Sequence, residues 1–255
     1  MAKKRLILCL LLDGDIFVNS RNFSLSHVGN IETILQYLNF EAMDEVVLLN
    51  VDRQEKNISE FSKRLREFGR HCFVPMCVGG GIKSLADIDS LLRSGADKVV
   101  INTSAIENPQ FINEASNRYG SQCVVVSIDA KKVDGEYKVH INNGVNNTSI
   151  DVIEWAKKIE TLGAGEIFLT SIDHDGVCQG YDLELVSSVS KSVDIPVIAS
   201  GGVGVFEHLV DGIKDGNADA VSAANIFHFI GEGLVKAKEH LRNEGLDFPK
   251  PIWNF

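Results

Sequence analysis

What is scarce in these 255 residues already excludes a good deal. Basic charge is short: 25 Lys and Arg stand against 35 Asp and Glu, a formal charge of −10 with a pI near 5.2. That leaves no positive field to neutralise a phosphodiester backbone or an anionic membrane, so neither nucleic acid nor a membrane surface is expected as the main partner. Small anions stay admissible, because backbone amides hold them locally. Cysteine is scarce too: Cys9, Cys72, Cys77, Cys123 and Cys178 are odd in number and form no Cys-x-x-Cys pair, which argues against a zinc knuckle and a disulfide framework. Most lie in apolar runs and read as small buried hydrophobes in a reducing cytoplasm. Long apolar runs are absent, so nothing approaches the length needed to span a bilayer. The opening Met1-Ala-Lys-Lys-Arg5 and Leu6 to Leu12 resembles a signal peptide only superficially; the run meets Asp13 and lacks a cleavage site, so it reads as a buried strand. With no Pro/Ser-rich linker either, residues 1–255 are read as one domain.

What is present is alternation. Apolar, β-rich runs at 5–12, 45–51, 73–78, 97–102, 123–129, 166–171, 195–200 and 219–224 read as eight strands. Helical stretches at 30–42, 57–69, 84–94, 108–119, 151–162, 183–193, 205–215 and 231–244 separate them. Several open on Asn, Ser or Asp and end at a glycine, as at Gly69, Gly95, Gly163, Gly216 and Gly245. Strands apolar on both faces indicate a parallel sheet covered by helices, and eight such units favour a closed (β/α)8 TIM barrel over an open doubly wound sheet. An extra hairpin is expected at 136–143. The chain also repeats itself: Glu45 to Asp52 resembles Glu166 to Asp173, and Pro75-x-x-x-Gly79-Gly80-Gly81 resembles Pro196-x-x-x-Ser200-Gly201-Gly202, both at an offset of 121. Two matches in register suggest two similar halves with one comparable site in each.

The glycine loops carry the first chemistry. Gly79-Gly80-Gly81 follows a strand and precedes Ser84 at a helix start; Ser200-Gly201-Gly202 repeats the arrangement after the seventh strand, where barrel phosphate sites commonly fall. Tight βα turns alone would also use glycine, but two loops at matching positions point to a substrate phosphorylated at both ends. Asp129 closes Val124-Val-Val-Ser-Ile-Asp129 at the C-terminal rim and suits a general acid or base, with loop capping as its plainer use. Asp173-His174-Asp175-Gly176 looks metal-like, yet its adjacent side chains diverge, so a turn lining a phosphate site is preferred, and neither a metal nor a cofactor is expected. His27, His71, His140, His208 and His240 read as surface residues, and His228 as near the rim. At the other strand ends Arg5, Glu45, Lys98 and Glu166 would pair into a polar ring if they point to the axis.

These residues resemble the HisF family, the cyclase subunits of imidazole glycerol phosphate synthase, over essentially the whole length. The resemblance rests on Val78-Gly-Gly-Gly-Ile82, Gly95-Ala-Asp-Lys-Val99, Ile101-Asn-Thr-Ser104, Gly120-Ser-Gln122, Ser127-Ile-Asp-Ala-Lys131, Gly163-Ala-Gly-Glu-Ile167, Leu169-Thr-Ser171, Gly180-Tyr-Asp182 and Pro196-Val-Ile-Ala-Ser-Gly-Gly202. It implies a barrel that partners a glutaminase subunit, receives ammonia and joins it to a bisphosphorylated small molecule. Gly81, Asn102 and Thr103 then match a first phosphate site, Gly176, Gly201 and Gly202 a second, and Arg5, Glu45, Lys98 and Glu166 a charged gate at the ammonia entrance. Gln122 and Asp97 match positions near the glutaminase-facing side or the inner barrel.

The departures fall on the chemistry. Of the family's two catalytic aspartates Asp129 matches one, and Leu11 stands at the other; Asn19 replaces a loop lysine, Asn50 an aspartate and Asn225 a serine. Asp13, two residues beyond Leu11 on the same strand face, is a substitute to be tested. Two readings follow: a cyclase subunit of histidine biosynthesis, or a non-cyclising paralogue that activates a glutaminase and feeds ammonia to a sugar amidotransferase in surface-polysaccharide (lipopolysaccharide) biosynthesis.

Overall fold

Each barrel strand has to satisfy two apolar surfaces, and the first strand shows how. Leu6, Leu8 and Leu10 point outward into one buried cluster, while Ile7 and Cys9, with Leu11 above them, point inward into another. The computed structural model describes residues 3–30, 43–53, 56–224 and 233–249. The chain runs β1 (Arg5–Asp13), β2 (Ile16–Arg21), β3 (Ser24–Asn30), β4 (Glu45–Asn50), α1 (Ile58–Gly69), β5 (Met76–Gly79), α2 (Leu85–Leu92), β6 (Lys98–Ile101), α3 (Thr103–Glu107), α4 (Gln110–Tyr119), β7 (Val124–Val133), β8 (Glu136–Ile141), β9 (Asn146–Asp151), α5 (Val152–Thr161), β10 (Glu166–Ser171), α6 (Leu183–Ser190), β11 (Val197–Ser200), α7 (Phe206–Lys214), β12 (Ala220–Ala223) and α8 (Gly233–Asn243).

Strands β1, β4, β5, β6, β7, β10, β11 and β12 pair in parallel in that order, and β12 pairs back onto β1, closing the (β/α)8 barrel. The outer cluster fills the space between strands and helices with residues such as Leu65, Phe68, Ile88, Ile112, Trp155, Ile159 and Leu209. The inner one, Ile7, Cys9, Val47, Cys77, Val100, Val125, Phe168, Ile198 and Ala220, plugs the barrel axis. Cys9, Cys72, Cys77 and Cys123 are buried free thiols and Cys178 is exposed. Among the described residues no helix is long and apolar enough to cross a membrane.

Helix starts follow the caps: Asn57, Asp151 and Asp182 side chains accept N–H groups of the first turn, and Ser84 forms a reciprocal capping box with Asp87. Two expected glycine stops differ. Gly69 is the last residue of α1 with Arg70 as its cap, and after α7 the left-handed turn falls on Asn217 rather than Gly216. The strand expected from Phe73 begins at Met76, because Phe73 is 86% exposed and lies outside the wall. Most of the helix expected at 30–42, and Asn225 and His228, lie outside the described residues.

Two antiparallel extensions rise from the C-terminal ends of the strands. The hairpin expected at 136–143 is larger than read: β7 runs on to Val133 and pairs with β8, which pairs with β9. The other, β2–β3, has no signal in the sequence; β1 pairs Leu11 with Val18 while still in the wall and continues past it to pair Asp13 with Ile16.

Candidate functional site

Period-2 alternation brings the inward residues of several strands to one rim, where a cavity of about 610 Å³ opens at the C-terminal ends. Gly81, Asn102, Thr103, Asp129, Gly176, Gly201 and Gly202 all line it. The glycine loops have matching backbones: Gly80 and Gly81 have φ of +102° and +84°, Gly201 and Gly202 +92° and +108°. At Gly80 a Cβ would lie 2.0 Å from the Asn50 carbonyl oxygen, and at Gly201 the nearest atom is the Ser171 carbonyl oxygen at 3.2 Å, so equivalent strands of the two halves crowd equivalent glycines. At Gly202 the carbonyl oxygen of Gly180 would be met at 2.0 Å, and at Gly176 that of Ser20 at 2.0 Å. Only glycine fits these loops, which leaves their edges bare of side chains toward the cavity.

Asp129 sits between the two loops. Asn102 Nδ2 donates to its Oδ2 at 2.9 Å and Ser127 Oγ to its Oδ1 at 3.3 Å. Burial pushes its pKa up to about 6, against the opposing pull of those two hydrogen bonds and the Lys56 charge. A carboxyl that titrates there can both give and accept a proton near neutrality. Leu11 lines the same cavity and offers no titratable group. Asp13 does not line it: β1 has left the barrel wall at that point and is paired with β2, which keeps this candidate substitute away from the site. Asn50 lines the cavity and its Oδ1 accepts the Asp52 N–H at 3.0 Å, while Asn19 does not reach the lining.

At the opposite barrel end the four charged residues meet. Arg5 bridges Glu45 at 2.6 Å and Glu166 at 3.1 Å, and Lys98 Nζ lies 3.1 Å from each of the same two carboxylates. Signs alternate around a closed ring, and each charge has two opposite neighbours, which is what offsets desolvation in a partly buried site. Nearby, Asp97 accepts the Met76 N–H at 2.8 Å, and Gln122 is exposed.

The remaining expected residues scatter. Asp173 accepts from the Lys132 N–H, the His174 ring meets the Gly180 carbonyl at 2.9 Å, and Asp175 accepts from Ser20 Oγ, so these side chains do not converge. Burial raises the Asp175 pKa. His140 is buried rather than on the surface, with Nδ1 against the Lys138 carbonyl at 3.1 Å. Two residues at the cavity had no signal in the sequence. Lys56 stands in what reads as an ordinary charged loop, and Ser222 in a small-residue strand; its Oγ is buried and has no hydrogen-bond partner among the described residues.

The family model described as "Histidine biosynthesis protein" matches residues 5–231. Proteins named imidazole glycerol phosphate synthase subunit HisF from Clostridium botulinum (strain 657 / Type Ba4) and Clostridium botulinum (strain Okra / Type B1) are each 45% identical over 249 residues, covering 96% of this chain and 98% of the relative. The chain therefore belongs to the histidine biosynthesis protein family, among its HisF subunits.

Proposed function

We propose that this chain is the cyclase subunit of an imidazole glycerol phosphate synthase, taking ammonia from a glutaminase subunit and joining it to a substrate phosphorylated at both ends. The observation that carries the reading is the placement of Asp129, with its pKa of about 6, between two repeat-related glycine loops in one cavity. In this reading Gly81, Asn102 and Thr103 hold one phosphate and Gly176, Gly201 and Gly202 the other, fixing the reacting centre over Asp129. Asn102 and Ser127 orient the carboxyl, which transfers the proton during ring closure. Arg5, Glu45, Lys98 and Glu166 form the gate through which ammonia enters from a glutaminase docked on the N-terminal face.

A second reading has one observation on its side. Leu11 on the cavity wall removes one of two expected proton-transfer groups, as suits a subunit that activates a glutaminase and passes ammonia to a sugar amidotransferase. The relatives compared carry the synthase name and give it no support. One assay separates the two: ammonia with the imidazole glycerol phosphate precursor, following product formation. Turnover that Asp129→Asn abolishes supports the cyclase, and absence of turnover with intact phosphate binding favours the second reading.

A further inference from the structure

The cations that line the cavity, among the described residues, all stand at one of its two glycine cradles. Among the described residues its cationic lining residues, Arg53, Lys56 and Lys83, all belong to the loops after β4 and β5, beside the first glycine cradle, where the acidic lining residues Asp52 and Glu107 also stand. The second cradle has backbone donors and, as its charged neighbour in the lining among the described residues, Asp175. Of the three cations Lys83 is exposed, and the exposed Arg53 donates to the Phe23 carbonyl oxygen. Lys56 is partly buried and makes no ion pair among the described residues.

The Lys56 stem lies against Gly81, where an added Cβ would come within 2.6 Å of the Lys56 Cβ. The ammonium reaches across the cradle to Asn143 Oδ1 at 3.3 Å, and the neighbouring Asn142 N–H donates to Thr103 Oγ1 at 3.2 Å. Gly81, Thr103 and Lys56 thus form one arc. On that arc the buried Ser104 Oγ has no hydrogen-bond partner among the described residues, a second donor group left waiting. Burial, then Arg53, lowers the Lys56 pKa; Asp129 and Asp52 oppose the shift and Lys83 adds to it. Like charges crowded at a cavity wall are relieved by an incoming anion.

We propose that Lys56 is the cationic ligand of the phosphate at the first cradle, and that it sets the direction in which a two-ended phosphorylated substrate binds. This rests on the bisphosphate reading of the cavity and goes beyond it by making the two ends unequal. One phosphate is gripped by an ammonium as well as by backbone donors, the other by neutral donors beside a carboxyl. A ligand whose two phosphates differ in charge or reach then has one favoured orientation, which fixes the atom presented to Asp129.

The test is binding of inorganic phosphate to the wild type, Lys56→Met and Lys56→Arg, by crystal soaking and by calorimetry. Wild type should show density at both cradles. Lys56→Met should lose it at Gly81 and keep it at Gly202, with affinity at the first cradle falling about 10-fold to 100-fold. Lys56→Arg should restore most of that loss. Raising the pH should weaken the first cradle before an ordinary lysine would titrate, and should leave this effect absent in Lys56→Met. Equal density at Gly81 in wild type and Lys56→Met overturns the assignment to Lys56 while leaving the bisphosphate reading intact. Wild type empty at both cradles overturns the bisphosphate reading, and this proposal with it. Density retained at Gly202 in the variant shows that the barrel is folded.

Discussion

Asp129 carries a stability cost when it ionises. Its carboxyl holds a proton up to about pH 6 in the folded chain and only to about pH 4 in an unfolded one. Ionising it therefore works against the fold: the stability this group contributes is complete below about pH 4 and is lost as pH rises through about 6. Asp129→Asn escapes that loss. Its urea midpoint should exceed that of the wild type at pH 8, and the two should converge near pH 4.5, while ammonia-dependent turnover falls by about 10² to 10⁴. Leu11 gives the complementary experiment. Leu11→Asp returns a titratable group to the wall and, by like-charge repulsion, should raise the apparent pKa of Asp129. The cyclase reading expects turnover to rise about 10-fold or more, measured in the acid limb of the pH–rate profile. No rise would favour the ammonia-supply reading.

Elements were more legible than extensions. The eight wall strands announce themselves because apolar residues on both faces mark strands of a covered parallel sheet, and the caps at Asn57, Ser84 and Asp151 mark helix starts through side-chain oxygens that a sequence displays directly. The β2–β3 hairpin was missed because its turn residues, Asn22 and Phe23, with φ of +49° and +64°, include no glycine, and because β1 reads as ending at its last apolar residue. The two glycine cradles were found through the 121-residue repeat, whereas Lys56 has no counterpart in the repeat and nothing in its neighbours marks it. The capping box bears on function, since Ser84 opens α2 just past the first cradle. Ser84→Ala should cost about 1 kcal/mol and lower Tm by about 2–4 °C, read by calorimetry, with phosphate binding at the Gly202 cradle unchanged.

Across the whole molecule, the two ends of the barrel are held by different forces. The ring at the N-terminal end rests on four mutually paired charges, so Lys98→Glu would set three carboxylates around one guanidinium and confuse stability with function. Lys98→Met is the cleaner change. It should cost about 3 kcal/mol in stability and alter glutamine-dependent turnover while leaving turnover on bulk ammonia within about twofold, a ratio measured with both nitrogen sources. Between the ends lies the apolar plug of Ile7, Cys9, Val47, Cys77, Val100, Val125, Phe168, Ile198 and Ala220. Glu166 is level with Val125, four residues before Asp129 on β7, so the ring and the Asp129 carboxyl are separated by roughly 13 Å along the strand. None of the groups that shift Asp129 belongs to the ring, and the groups that shift Arg5 are ring members. The plug therefore separates two sets of charges that share no partner among the described residues. Lys98→Met and Asp129→Asn combined in one chain should change the unfolding free energy by their sum, within about 0.5 kcal/mol, so that either end of the barrel can be rebuilt without retuning the other.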